Sequence, residues 1–223
     1  MNCSKPLSSS TFRSKTTHRV RRPRVMKHKG DRERPKGKLD PHLIILSAAL
    51  VWLTAAGPAL SQDWSALRQK MLAEIRADVI ATRIYIGKGT LHPEVLDALE
   101  RVPRHNFVPE AVRASAYANR PLPIGHGQTI SQPYIVALMT DLLEPDANDT
   151  ILEVGTGSGY QAAVLAELAG DIHTIEIIPA LADQARIRFD RLGYARIRTR
   201  QGDGYFGWPE AGPFDGIIVT AAA

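Results

Sequence analysis

The stretch Thr150-Ile-Leu-Glu-Val-Gly-Thr-Gly-Ser-Gly-Tyr160 constrains the fold of this 223-residue chain more than any other. A short apolar run ends in a glycine, glycines in alternate positions force a tight turn, and a helix is expected from Gln161 to Leu168. The same alternation continues. Strands are expected at Ile172–Ile178, Ala195–Thr199 and Phe214–Thr220, with a helix over Ala180–Leu192. Strands alternating with helices predict an α/β fold with a doubly wound, mostly parallel sheet.

In that fold the turn from the first strand into its helix binds a ligand. Spacing separates the candidates. A dinucleotide fingerprint needs glycine at its sixth position, where Tyr160 stands, and a phosphate-binding loop needs a lysine, yet none occurs between Lys88 and Ala223. An acid followed by Gly155, Thr156, Gly157, Ser158 and Gly159, with no neighbouring cation, suits a ligand with a positive centre; alone, the loop is also compatible with a purely structural turn. S-adenosylmethionine fits: its carboxylate would lie near the helix amino terminus and its ammonium and sulfonium would face Glu153. Glu176 ends the second strand 17 residues beyond Gly159, near the offset at which an acid holds ribose hydroxyls. Asp203, in Gly202-Asp-Gly204 after the third strand, is placed to accept from the adenine amine.

Upstream, Leu67, Met71, Ile75 and Val79 recur every four residues and predict an amphipathic helix of about 18 residues starting at Asp63. A second helix is expected over His92–Val102, with Val95, Leu96 and Leu99 inward. Asn119–Gln132, with Pro121, Pro123, Gly125 and Gly127, reads as an ordered loop. Ser131 or Gln132 is then expected to cap a helix that opens with Pro133 and buries Ile135, Leu138, Met139 and Leu142.

The formal net charge is +5, but residues 1–40 hold 13 Lys/Arg against 3 Asp/Glu and leave 15 against 20 for the rest. The globular part is acidic, so no nucleic-acid partner is expected. Cys3, the only cysteine, lies in the basic leader, which excludes a disulfide framework or a cysteine-based metal site in the core; no metal is expected. Residues 1–41 read as disordered. Residues 42–62 form an apolar segment, uncharged from Leu43 to Gln62, that reads as an export signal or membrane anchor, with Met26 an alternative start. A helical and substrate-loop region over 63–149 and a cofactor-binding α/β part over 150–223 complete the expected organisation.

Pro121-Leu-Pro-Ile-Gly-His-Gly-Gln-Thr-Ile-Ser-Gln-Pro-Tyr-Ile-Val-Ala137, preceded by Val102-Pro-Arg-His-Asn-Phe-Val-Pro-Glu110, resembles the protein-L-isoaspartate O-methyltransferase family, as do Leu152–Gln161 and Gly202-Asp-Gly-Tyr205. The likeness runs from about Met71 to Ala223. It implies a Rossmann-like, S-adenosylmethionine-dependent methyltransferase fold. The implied activity is methylation of the free carboxylate of L-isoaspartyl residues in damaged proteins and peptides, which starts their repair through a succinimide. By position it implies Ser131 as the active-site serine, with Thr129 and Ile130 beside cofactor and substrate. Glu153, Gly155, Gly157 and Gly159 match the first cofactor motif, Glu176 the ribose acid, and Asp203 with Gly204 the adenine contact.

The bland alternative for Ser131 is a helix cap. His105 and His126 read as loop hydrogen-bonding residues, and a Ser131/His126 hydrolytic pair would lack a nucleophile elbow. The chain stops at Thr220-Ala-Ala-Ala223, where family members continue through further strands, so a C-terminally truncated member missing its last strands, of weakened activity, is expected. The resemblance implies a cytoplasmic monomer; the alternative is export to the periplasm or anchoring, with membrane contact through 43–62 only. Two rival readings are a methyltransferase of RNA or a small molecule, which would lack the Gly127–Pro133 segment, and a non-catalytic S-adenosylmethionine-binding protein.

Overall fold

A computed structural model describes residues 62–221. The expectations for the basic leader, Cys3 and most of the apolar segment lie outside the described residues. Four parallel strands carry the molecule: β3 (Thr150–Val154), β4 (Asp171–Glu176), β5 (Arg198–Gln201) and β6 (Gly216–Val219), in the order β5-β4-β3-β6. Helices α4 (Tyr160–Leu165) and α5 (Pro179–Leu192) make the crossovers from β3 to β4 and from β4 to β5. Ile151 and Leu152 of β3 and Ile172 and Ile175 of β4 are buried, as apolar strands flanked on both sides should be. Register sets Glu153 of β3 against Thr174 of β4 and Ile218 of β6. That pairing places one acid among buried neighbours at the carboxyl end of the sheet.

The expected third strand begins three residues too early. Ala195-Arg-Ile197 turns instead, with the amide of Ile197 donating to the carbonyl of Tyr194 at 3.0 Å, and β5 is the charged run Arg-Thr-Arg-Gln. Pairing with β4 along one edge outweighs strand propensity there.

Helices α1 (Trp64–Ile86), α2 (Pro93–Arg101) and α3 (Pro133–Leu143) pack against one another beside the sheet. Asp63 caps α1, its carboxylate accepting from the amides of Ser65 and Ala66 at 3.0 Å. The helix runs past the expected 18 residues because no breaker intervenes before Gly87, which ends it at φ 73°. Trp64 stacks on His105 with ring centroids 4.3 Å apart, and the His105 Nδ1 lies 2.8 Å from the Tyr117 hydroxyl, so both rings serve packing.

In α3 the buried face is turned from the expected one. Tyr134, Val136, Ala137, Thr140 and Asp141 are buried, and of the four residues expected inward Leu138 and Met139 pack half-buried against the core while Ile135 and Leu142 are exposed. The polar pair decides the rotation, because each finds a partner inside. Gln161 donates to the Thr140 hydroxyl at 2.8 Å. The Asp141 carboxylate accepts from the His92 amide at 2.6 Å, lies 3.0 Å from the His92 Nδ1 and pairs with Lys88. This joins the α1–α2 connection to α3.

The segment expected as a loop is a hairpin of β1 (Leu122–Gly125) and β2 (Gln128–Ile130). His126 and Gly127 turn it at φ 52° and 73°, the positive pair that a tight hairpin turn requires. Histidine tolerates that region better than most residues, which explains His126 by backbone geometry.

Asp141→Ala should lower unfolding free energy by about 2–4 kcal/mol, since it removes a buried carboxylate and strands the partly buried groups that bond to it, the His92 amide and the Lys88 ammonium. Urea denaturation with an unchanged m value would register it.

Candidate functional site

The turn that follows β3 is fixed from both sides. The amides of Gly155 and Thr156 donate to the Ile175 carbonyl of β4 at 2.8 and 3.2 Å. From β6, the Thr220 hydroxyl donates to the Gly155 carbonyl at 2.7 Å. Glycine is required by contact as well as by conformation. A Cβ on Gly155 would sit 2.8 Å from the Ala221 Cβ, and one on Gly159 only 2.5 Å from the Phe189 ring of α5; both residues have positive φ. The Glu176 carboxylate, at the end of β4, accepts from the Gly157 amide at 2.7 Å and the Ile178 amide at 2.9 Å. The Gly202 amide in turn donates to the Glu176 carbonyl at 2.9 Å. Asp203 and Gly204 therefore stand next to Glu176. The Asp203 side chain is exposed and accepts from the Tyr205 amide at 2.9 Å.

Glu153 lies wholly within the protein. Its Oε2 accepts from the Thr174 hydroxyl at 2.5 Å, and its Oε1 has no partner. Because Thr174 spends its one proton on Glu153, the Thr156 hydroxyl, 2.6 Å away, donates to Thr174. Burial pushes the Glu153 pKa up to about 8, against the Thr174 hydrogen bond that lowers it. An unpartnered buried carboxyl oxygen is costly unless a donor or cation arrives to meet it.

Thr129, Ile130 and Ser131 close the same cleft from the hairpin side. The cleft is lined by these three with Glu153, Gly155, Thr156, Gly157 and Ser158, and also by Val136, Tyr160, Gln161 and Thr220. Of the expected residues, Gly159 lies behind the turn, while Glu176, Asp203 and Gly204 continue the line along the strand ends. Sequence reasoning missed Thr220, although its position at the carboxyl end of a strand beside the switch in strand order was a usable signal. It also missed Arg104, whose guanidinium reaches the Ser131 carbonyl; nothing in the spacing pointed to that contact. The expected cap is absent: Gln132 is the N-cap of α3 without a side-chain cap bond, and the Ser131 hydroxyl makes no hydrogen bond among the described residues. The proline at the start of α3 leaves one fewer amide to satisfy, so capping is not needed.

Among the described residues no group of three or more His, Cys, Asp or Glu could hold a metal ion, and no helix is long and apolar enough to cross a membrane. The donor set instead fits S-adenosylmethionine: an unpaired carboxyl oxygen for a cation, an open glycine turn at a helix amino terminus, and a second acid at the end of the neighbouring strand. Fold and site together define a Rossmann-like, S-adenosylmethionine-dependent methyltransferase.

The family model of protein-L-isoaspartate(D-aspartate) O-methyltransferase matches residues 78–223, and the chain belongs to that family. Protein-L-isoaspartate O-methyltransferase 2 of Syntrophobacter fumaroxidans is 58% identical over 181 residues, covering 81% of this chain and 73% of the relative. Protein-L-isoaspartate O-methyltransferase 1 of Cupriavidus necator is 52% identical over 188 residues, 82% of this chain and 71% of the relative. A solved protein-L-isoaspartate O-methyltransferase superposes with TM-score 0.58 at 26% identity, over 69% of this chain; the match spans about half, 48%, of that structure. A Plasmodium falciparum structure with bound S-adenosyl-L-homocysteine, at TM-score 0.54 and 22% identity over 70% of this chain and 74% of its own, shares the fold.

Glu153 also makes a prediction about stability. A carboxyl that titrates near 4.5 when unfolded and about 8 when folded takes up a proton on folding between those values, so the ligand-free protein loses stability as pH rises through that window. Glu153→Gln should be as stable as the parent near pH 4 and more stable at pH 8, the gap opening by up to about 1.4 kcal/mol per pH unit. Thermal melts across that pH range would measure it; parallel curves would refute the assignment.

Proposed function

We propose that the chain methylates the free carboxylate of L-isoaspartyl residues with Ser131 as the substrate-holding hydroxyl and the Glu153 to Gly204 line as the cofactor-holding groups. The observation that carries this reading is the Ser131 hydroxyl, without a hydrogen bond among the described residues, in a cleft that Glu153, its Oε1 unpartnered, also lines. S-adenosylmethionine, when bound, supplies an electrophilic methyl group on a cationic sulfur.

The chemistry asks little of titratable side chains. An isoaspartyl α-carboxylate, with a pKa of about 3.5, is ionised at neutral pH, so no general base is required. Alignment is the main demand. Ser131 donates to one carboxylate oxygen and leaves the other free; the bound cofactor would supply the methyl group to that oxygen, the new C–O bond replacing the S–C bond and the two opposite charges cancelling. A dry site favours such a charge-cancelling step, and Ile130, Val136 and Tyr160 exclude water from it. The methyl ester then closes on the neighbouring backbone amide to a succinimide with loss of methanol, and hydrolysis returns part of it to normal aspartate.

Glu153 accepts the cationic end of the cofactor. Glu176 would hold the ribose hydroxyls with the acceptor capacity its two amides leave free, and Asp203 would accept from the adenine amine. The region 63–149 supplies the substrate side and 150–223 the cofactor side. A cytoplasmic place of work, as a monomer, follows from the site where this cofactor is made and from the family's usual habit.

Labelled cofactor offered with an isoaspartyl peptide and its normal aspartyl twin should methylate the first alone; methylation of both, or of neither, would remove the reading. Ser131→Ala should lower kcat on the isoaspartyl peptide by about 10- to 100-fold with cofactor affinity retained. Because Glu153 must be ionised to meet a cation, S-adenosylmethionine should bind more tightly as pH rises towards about 8, with proton release measurable by calorimetry in buffers of different ionisation enthalpy.

A further inference from the structure

Arg104 has no solvent exposure and is the largest wholly buried side chain among the described residues. No carboxylate answers it. Its Nε donates to the Ala116 carbonyl at 2.8 Å, its Nη2 donates to the Ser131 carbonyl at 2.7 Å, and its Nη1 has no partner. The guanidinium carbon lies 4.7 Å from the centroid of the Tyr160 ring, and Tyr160 is the first residue of α4 and a wall of the cleft. One flat cation thus touches three separate parts of the chain: the 110–116 turn, the residue before Gln132, and the helix that leaves the glycine turn.

Burying a charge without a counter-ion is expensive, and burial lowers the Arg104 pKa from its ordinary value. A methionine or leucine would fill such a space at less cost. What it would not do is fix the peptide of Ser131 at a set distance from Tyr160, since that needs two donors in one rigid plane together with a face that stacks on an aromatic ring.

We propose that Arg104 is a positioning residue for methyl transfer, holding the Ser131 peptide against Tyr160 so that the serine hydroxyl is aimed into the cleft. This rests on the Ser131 reading above. Arg104 does not line the cleft, so its influence on the reacting atoms passes through Ser131 rather than through contact with substrate. Lysine at this site keeps the charge but offers a single point of donation, so it does not substitute for the fork.

The test is a double-mutant cycle between Arg104→Lys and Ser131→Ala in the full chain, with kcat on an isoaspartyl peptide as one readout and affinity for S-adenosylhomocysteine as the other. Arg104→Lys should cut kcat by about tenfold or more in the parent chain but by less than about threefold once Ser131 is alanine, because the two changes remove the same alignment. Affinity for S-adenosylhomocysteine should stay within about threefold throughout, which a merely structural role would not allow. Arg104→Gln, which leaves no buried charge to satisfy, runs alongside in case the lysine variant folds poorly.

Equal loss of kcat in both Ser131 backgrounds overturns the proposal and leaves the Ser131 reading intact. Loss of S-adenosylhomocysteine binding in both Arg104 variants overturns it too, by showing that the arginine upholds the fold. A Ser131→Ala protein with the parent's rate removes the Ser131 reading and this inference with it.

Discussion

Gly155 and Thr156 both donate to the carbonyl of Ile175 on β4, and from β6 the Thr220 hydroxyl donates to the carbonyl of Gly155. Neither neighbour alone would suffice, because a run of glycines has little preference for one conformation and loses much entropy on being fixed. Two flanking strands impose the turn, and the turn in turn determines where Glu176 finds its amides and where α4 begins. The sheet order β5-β4-β3-β6 therefore does more than bury Ile151 and Ile175. It sets β3 between two partners at the point where the strand order reverses, the place at which an open α/β sheet forms a ligand crevice.

The candidate cofactor residues could be picked out in the sequence because they recur at strand ends, where an open α/β sheet binds its ligand. Glu153, the glycines and Glu176 each stand at the end of a strand whose apolar pattern announces it, and Asp203 is marked by its flanking glycines. The substrate half depends on distances that cross the chain. The bond from Arg104 to the Ser131 carbonyl spans 27 positions, and that from Gln161 to Thr140 spans 21; no periodicity encodes either. For the same reason the buried face of α3 was misjudged. Its pattern favours Ile135 and Leu142, but Thr140 and Asp141 turn inward to partners that only the fold brings near. The hairpin of β1 and β2 escaped notice because its turn is His-Gly, outside the usual Asn-Gly vocabulary, and because prolines flank it.

Electrostatics divides the site into two buried ionisable groups, one acidic and one basic. Glu153 lines the cleft with one oxygen unanswered, and Arg104 stacks on Tyr160, which lines the same cleft. No oppositely charged side chain pairs with either among the described residues, and without ligand Glu153 keeps its proton up to about pH 8. Each destabilises the isolated protein, and each is suited to a reaction that brings a cationic cofactor and an anionic substrate together and leaves both less charged.

Gly159 and Phe189 form a volume-matched pair whose two halves belong to different structural elements. The phenyl ring occupies the space that any side chain on the glycine would need, so neither position is free to vary without the other. Enlarging Gly159 requires a smaller residue at 189 as well as a backbone that accepts positive φ. Shrinking Phe189 would leave a hollow beneath the turn and give the loop room to sag. A helix residue 30 positions away, with no place in the cleft, is thus part of the specification of its floor.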